Sequence, residues 1–482
     1  MVVAFGSSEY ALRLFPLLCS LASLPLFARL ATRLLRPPAA LLAIALFALS
    51  PGIAIYAAEG KQYATDVLVT LALTELTLWW LAAPGARRSV ALAVGGVVGV
   101  FLSQPAVFLL AGLGAALVVG TPRGDRRKPL APMAFWVTGA VLSVLHARSR
   151  MSSGLMNYMH WFWREGFLPW PVTSLEDALW PLRTLAGLFG LGLGYPWPWA
   201  YLTLVACGLV SLFRRARRVA LLLAGPIAVT LLAAVAQVYP FQLRLVLFLV
   251  PAFVLLVAEG AGLIAERAGQ MVERAPGQAV RALLLPAVAA PVAVSLVRNP
   301  PVWHLDEMRP VFAELQRRRQ PEDAVYAYYP SWQAVRYYGP RYGLGFEAVE
   351  IGACHPRDLH DYLRELDRYR GRRVWILFAS SARRLGERQA MTAYLDALGV
   401  RRDAIEGPPT NRPGAISAHE RIESRFRTGA YLYDLTDPSR LASTTADRPS
   451  LPLAVQMPGG PRCVYGPVVP QVPTVAAARA AP

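Results

Sequence analysis

Long apolar runs separated by short polar ones dominate residues 1–298, and after Pro300 the pattern shifts to short apolar stretches alternating with charged ones. A helix crossing a hydrocarbon core needs roughly 20 predominantly apolar residues. Runs of that order predict membrane helices at Leu12–Leu35, Ala39–Ala57, Ala64–Ala83, Ser89–Leu102, Ala106–Val119, Leu130–Leu145, Trp199–Phe213, Val219–Val238, Leu243–Ile264 and Ala282–Val297. The stretch from Ser89 to Val119 is broken by Ser103-Gln104-Pro105. Proline lacks an N–H and clashes with the preceding helical turn, so two short helices around a tight turn are expected there. Beyond Pro300 the pattern predicts helices in Leu305–Arg319, Ser331–Gly339 and Glu387–Gly399, and strands in Asp323–Tyr329, Arg372–Ser380 and Gly429–Leu435. Alternating elements of this kind make a small α/β domain.

The expected fold class is thus mainly α: a polytopic helical bundle over residues 1–298, an α/β domain over 299–440, and a tail over 441–482. From about Asp437 the chain is rich in Pro, Ala, Ser and Thr and poor in helix signals, and is expected to be disordered. Composition agrees with the bundle: 55% of the 482 residues are hydrophobic and 17% charged, with a mean hydropathy of +0.37. These values are too apolar for an ordinary soluble protein.

A formal net charge of +18 raises nucleic acid as a partner. The basic residues fall mainly in short clusters between apolar runs, where membrane orientation explains them better, so no nucleic-acid partner is expected. Placing successive loops on alternate sides collects Arg29, Arg33 and Arg36, Arg87 and Arg88, Arg123–Lys128, Arg214–Arg218, and Arg267, Arg274 and Arg281 on one side. The positive-inside rule makes that side cytoplasmic. Lys61, the segment from Arg148 to Pro181, the turn Tyr239–Arg244 and everything after Arg298 then lie outside. A multi-pass protein of the cytoplasmic membrane with an extracytoplasmic C-terminal domain is expected. Met1 falls in an outer loop under this scheme, an awkward topogenic start, and no Sec-type signal peptide is visible. The expectation is either a truncated start or a lost first helix.

Cys19 and Cys207 lie in apolar helices as small hydrophobes. Cys354 and Cys463 lie in the polar part and can pair if it faces an oxidising compartment. The aromatic segment Met156–Pro181, with Trp161, Trp163, Trp170 and Trp180, suits the membrane interface or a lid over a lipid-linked substrate. Ser50–Asp66 places Glu59, Lys61 and Asp66 between two apolar helices. Ionisable groups beside membrane segments are costly unless paired, solvated or functional. The hairpin reads either as a solvated interfacial turn or as one side of an anion site, Lys61 contacting phosphate while Glu59 or Asp66 fixes it. Arg244, at the head of an apolar helix on the same side, adds a second cation, or else snorkels to headgroups. His146, His160, His304, His355 and His360 show no metal-binding spacing, and no nucleophile elbow is present.

Three segments resemble bacterial members of the dolichyl-phosphate-mannose protein mannosyltransferase superfamily, integral membrane glycosyltransferases of the GT-C fold. They are "FGSSEYALRLFPLL" at Phe5–Leu18, "LFALSPGIAIYAAEGKQYATDVLV" at Leu46–Val69 and "YPFQLRLVLFLVPAFVLL" at Tyr239–Leu256. Met308–Tyr338 looks like the start of the extracytoplasmic domain in some such proteins. The resemblance implies a polyprenyl-phosphate sugar donor and transfer on the outer face to a lipid, glycan or protein acceptor. By the same resemblance Lys61 stands where the family often has Arg, Gln62 where it often has Pro, with Tyr63 following, and Arg244 corresponds to the arginine after the outer Tyr-Pro. Glu59, Lys61, Tyr63 and Arg244 are the expected substrate-binding residues. The family's catalytic acid lies in the first outer loop, upstream of Met1, and Glu9 matches a later family position. The catalytic residue is accordingly unassigned. No cofactor follows from the residues, and a divalent metal is compatible with the chemistry. The alternative is a non-catalytic membrane protein that binds lipid-linked sugars in envelope polysaccharide assembly. A transporter would carry repeated halves and polar residues deep in several helices, which are not seen.

Overall fold

The computed structural model describes residues 5–151, 153–271, 275–298, 307–355, 360–379, 385–408 and 427–444. The chain divides into two compact units, one of Met1–Met151 with Trp163–Pro301 and one of Ser152–Phe162 with Val302–Pro482.

The first unit is a helix bundle. Its elements are α1 (Glu9–Leu34), α2 (Pro37–Leu49), α3 (Pro51–Tyr56), α4 (Tyr63–Ala82), α5 (Ala86–Leu102), α6 (Ala106–Gly120), α7 (Leu130–Ser149), α8 (Trp180–Gly187), α9 (Pro198–Arg215), α10 (Arg217–Val235), α11 (Val250–Met271) and α12 (Ala275–Arg298). Among the described residues five stretches are long and apolar enough to cross a bilayer: Glu9–Leu34, Tyr63–Ala82, Leu130–Ser149, Arg217–Val235 and Arg244–Met271. Every expected apolar segment is helical, and the break at Ser103-Gln104-Pro105 falls between α5 and α6. Two expectations change. Ala39–Ala57 is two helices, because Ser50, preceding Pro51, takes an extended conformation (φ −64°, ψ 115°) that ends α2. Arg244 does not head a regular α-helix: Leu243–Leu249 is a 3₁₀ stretch with a kink at Val246, and α-helical geometry begins at Val250.

The central elements are α4 and the Arg244–Met271 stretch, whose apolar windows are 67% and 78% buried by protein, against 17% for α7. Small residues let helices touch backbone to backbone, the usual means of packing where lipid offers no hydrophobic gain. A Cβ on Gly208 in α9 would stand 2.0 Å from the Leu256 carbonyl oxygen of α11, and one on Gly260 2.0 Å from the Leu204 oxygen. Helices α9 and α11 therefore cross at van der Waals contact of their main chains.

In the second unit, α13 (Arg309–Arg318), α14 (Trp332–Tyr338), α15 (His360–Leu366), α16 (Leu385–Leu398) and α17 (Pro438–Ser443) accompany five strands, β1 (Ala324–Ala327), β2 (Glu350–Ile351), β3 (Arg373–Phe378), β4 (Val400–Glu406) and β5 (Gly429–Asp434). The sheet order is β2-β1-β3-β5-β4, with β1 parallel to β2 and β3, and β5 antiparallel to β3 and β4. Side chains alternate across β3: Val374, Ile376 and Phe378 join α15 and α16 in one core, and Trp375 and Leu377 join α13 and α14 in the other. Helices on both faces explain why β3 reads as a continuous apolar run. The sequence pattern misses β2, which is two residues long, and β4, an exposed edge strand reading VRRDAIE. Part of the expected tail is ordered: Asp437 caps α17 by accepting from Ser439 N at 2.9 Å. The rest of the tail lies outside the described residues.

Candidate functional site

Tyr63 and Arg244 are the first residues of the two central stretches, and the fold brings them together. Between α3 and α4 the chain turns at Ala57–Gln62, where Lys61 N donates to Glu59 O at 2.6 Å. The buried rings of Tyr56 and Tyr63 meet edge to face, centroids 5.2 Å apart. The Arg244 guanidinium stands 5.9 Å from the Tyr63 ring centroid and 5.1 Å from that of Trp163. Cations over aromatic faces are attracted by the ring quadrupole, most strongly by Trp.

The wall behind Arg244 is built by hydrogen bonds to backbone carbonyls. Phe241 N donates to Gly166 O at 2.7 Å, Gln237 Nε2 to Leu168 O at 2.6 Å, and Trp180 Nε1 to Glu165 O at 3.0 Å. The Tyr239 hydroxyl donates to Leu245 O at 2.7 Å and closes the turn that carries Arg244. Trp163 and Trp180 are thereby buried, while Trp170 is 81% exposed. Residues 163–168 and Trp180 of the aromatic segment are thus fastened to the bundle.

Glu59 and Asp66 complete the cluster. Tyr63 lies within electrostatic range of Arg244, Glu59, Tyr56 and Asp66. One carboxylate oxygen of Glu59 and one of Asp66 are buried without a hydrogen-bond partner among the described residues. The Ser103 side chain, from the break between α5 and α6, lies beside the Asp66 carboxyl group. Such groups are costly in an apolar surrounding unless a polar partner meets them. Neither fixes the lysine, contrary to expectation: Lys61 is exposed and, among the described residues, makes no ion pair or side-chain hydrogen bond. The turn points it outward, while the helical rise of α4 carries Asp66 inward. Of the four expected residues, Glu59, Tyr63 and Arg244 gather into one cluster, and Lys61 stands in the adjoining turn. Sequence reasoning missed Tyr56 and the pairing of Trp163 with Arg244; the only signal was that both lie in aromatic-rich segments flanking charges.

The other candidates lie elsewhere. Glu9 opens α1, and His146 is exposed in the last turn of α7. His355 Nε2 is 3.1 Å from Glu365 Oε1 in the α/β unit, and His304 lies outside the described residues. Among the described residues no group of three or more His, Cys, Asp or Glu side chains is placed to hold a metal ion. Cys19 and Cys207 are free thiols, Cys354 is disulfide-bonded, and Cys463 lies outside the described residues.

Fold and site together define a polytopic membrane protein whose central helices present an aromatic-walled guanidinium and a neighbouring lysine at one end. No protein-family model and no curated protein matches the chain. Among solved structures it is similar to ArnT from Cupriavidus metallidurans bound to undecaprenyl phosphate, at 14% identity and a TM-score of 0.45, and to ArnT from the same organism in the apo state, at 13% identity and 0.44. Each comparison covers 91% of this chain and 86% of the other.

Proposed function

We propose that the chain is a membrane glycosyltransferase that binds a polyprenyl-phosphate-linked sugar at the Arg244 end of the bundle and transfers the sugar to a lipid, glycan or protein acceptor on the outer face. The observation that carries this reading is the half-buried Arg244 guanidinium held on Tyr63 and Trp163 at the mouth of two enclosed apolar helices. A guanidinium donates two parallel hydrogen bonds to a phosphate, and the apolar bundle beneath it suits the prenyl tail. Lys61 supplies a second, mobile positive charge. Glu59, an acceptor-only carboxylate with a buried oxygen to satisfy, receives a hydrogen bond from a sugar hydroxyl.

In the reaction an acceptor hydroxyl oxygen bonds to the anomeric carbon as the carbon–oxygen bond to phosphate breaks. The electron pair leaves on the phosphate oxygen, and the hydroxyl proton passes to a carboxylate base. Charge grows on the phosphate in the transition state, so fixed cations there lower the barrier. The disulfide at Cys354 supports an oxidising, extracytoplasmic surrounding for the second unit.

The test is turnover by the full chain in proteoliposomes containing a polyprenyl-phosphate sugar. Release or transfer of sugar, abolished in Arg244→Gln, is expected. Tight binding of polyprenyl phosphate with no turnover on any acceptor class would replace transfer by carriage or presentation of the lipid-linked sugar.

A further inference from the structure

The opposite end of the bundle holds a cavity that the proposed transfer does not use. It measures about 340 Å³, within the range of small-ligand sites, and lies between the start of α2, the end of α9, the middle of α11 and α12. Its inner wall carries Glu259, whose side chain is 6% exposed. Glu259 Oε1 accepts from Ser211 Oγ at 2.6 Å and Arg215 Nε at 2.7 Å, and Oε2 accepts from Arg215 Nη2 at 2.6 Å. This buried charge is fully compensated and asks nothing of a ligand.

The outer charged pair of the cavity is different. Arg36 and Glu266 also pair with one another, but their side chains are 57% and 38% exposed. An exposed ion pair contributes little and opens at little cost. Between the two charged layers the lining is apolar, with Ala39, Leu263 and Leu285. The cavity therefore offers one cation and one anion side by side at its rim, and an apolar lining between them and the compensated Glu259.

We propose that this cavity binds a phospholipid with a primary-amine headgroup. The lipid phosphate accepts from Arg36, the lipid ammonium donates to Glu266, and the upper part of an acyl chain enters between α2, α11 and α12. A zwitterion of this kind replaces one exposed contact by two and leaves neither Arg36 nor Glu266 unpaired. An anionic lipid would satisfy Arg36 and leave Glu266 opposite like charge. A quaternary ammonium has no N–H to donate to Glu266. The flanking arginine-rich turns set this cavity at headgroup depth in the leaflet opposite the Arg244 end.

The experiment is native mass spectrometry of the full chain transferred from bilayers containing equal parts phosphatidylethanolamine, phosphatidylglycerol and phosphatidylcholine. One phosphatidylethanolamine per chain is expected to be retained in preference to the others. Glu266→Gln should lower that preference about tenfold, the worth of one charge-assisted hydrogen bond. Leu285→Trp, which fills the cavity and spares the ion pair, should abolish retention. Equal retention of the three lipids by the wild type overturns the proposal, as does unchanged preference in Glu266→Gln or unchanged retention in Leu285→Trp. Since neither substitution touches the Arg244 cluster, polyprenyl-phosphate binding should persist in both, which keeps this outcome separate from that of the transfer reaction.

Discussion

Trp163 is expected to matter for phosphate binding only through Arg244, and a double-mutant cycle isolates that dependence. In the wild type the guanidinium is 5.1 Å from the Trp163 centroid. Cation–π contacts contribute about 0.5–2 kcal/mol, and for a half-buried cation about 1 kcal/mol is a reasonable central value. Trp163→Leu keeps an apolar side chain in the wall and removes the aromatic face. Affinity for a polyprenyl phosphate should fall about fivefold as Arg244 loses its orientation. Tyr63→Leu should cost less, since its centroid is 5.9 Å away, near the limit of such contacts. Both variants also lose packing, so the decisive comparison is in the Arg244→Gln background. There Trp163→Leu should change affinity by less than about twofold, because the group it positions is gone. The assay is titration of the chain in lipid nanodiscs with polyprenyl phosphate. A fivefold loss from Trp163→Leu in both backgrounds would show that Trp163 acts through the wall alone, and the cation–π reasoning would be refuted.

Other consequences concern stability and pH. Gly208→Val places side-chain atoms against the Leu256 carbonyl, which cannot move without parting α9 from α11, and should destabilise the bundle by about 3 kcal/mol; an unchanged midpoint of thermal unfolding in detergent would contradict the close crossing. Asp323, whose carboxylate is fully buried, accepts from Trp375 Nε1 at 3.1 Å and Gln320 N at 3.0 Å and lies 3.0 Å from Arg373 Nε. Asp323→Ala should cost about 3 kcal/mol by stranding these partners, with hydrogen exchange rising first in β1 and β3. Hydrogen bonds from the Thr436 side chain, then from Arg402, hold the Asp434 carboxyl below the usual carboxylate range. A depressed folded-state pKa means its contribution is present above the unfolded value of about 3.9 and is lost as pH falls through the folded one. Asp434→Asn should therefore flatten the acid side of the stability profile and leave its slope near neutrality unchanged.

The helical layout was legible because bilayer crossing demands apolar length, which one sequence displays directly. The break at Pro51 was less so: apolarity continues through Ala39–Ala57, and only the backbone restriction before proline marks the boundary. In the second unit β3 announced itself by an apolar run buried on both faces. Strand β4 did not, since its side chains are mostly exposed and its backbone pairing with β5 leaves no trace in hydropathy. The site shows the same division. Charges near membrane helices stand out against their surroundings, so Glu59, Lys61 and Arg244 could be singled out. Which charge pairs with which depends on the turn at Ala57–Gln62 and the 3₁₀ stretch at Leu243–Leu249, and local pattern fixes neither. Arg244 stands against two aromatic rings, and one of them, Trp163, is about 80 residues away in the chain, where no periodicity links them.

The measurement closest to the central claim is binding of polyprenyl phosphate to the wild type, Lys61→Gln, Arg244→Gln and the double variant, in nanodiscs at two salt concentrations. Each charge-assisted contact contributes about 1.5–3 kcal/mol, so Arg244→Gln should weaken binding at least tenfold. Lys61, exposed and more strongly screened, should show a smaller loss that shrinks at the higher salt. The double variant should bind no better than a neutral prenyl alcohol. Affinities equal to the wild type in both single variants, with no preference for phosphate over alcohol, would contradict a lipid-phosphate site at this end of the bundle.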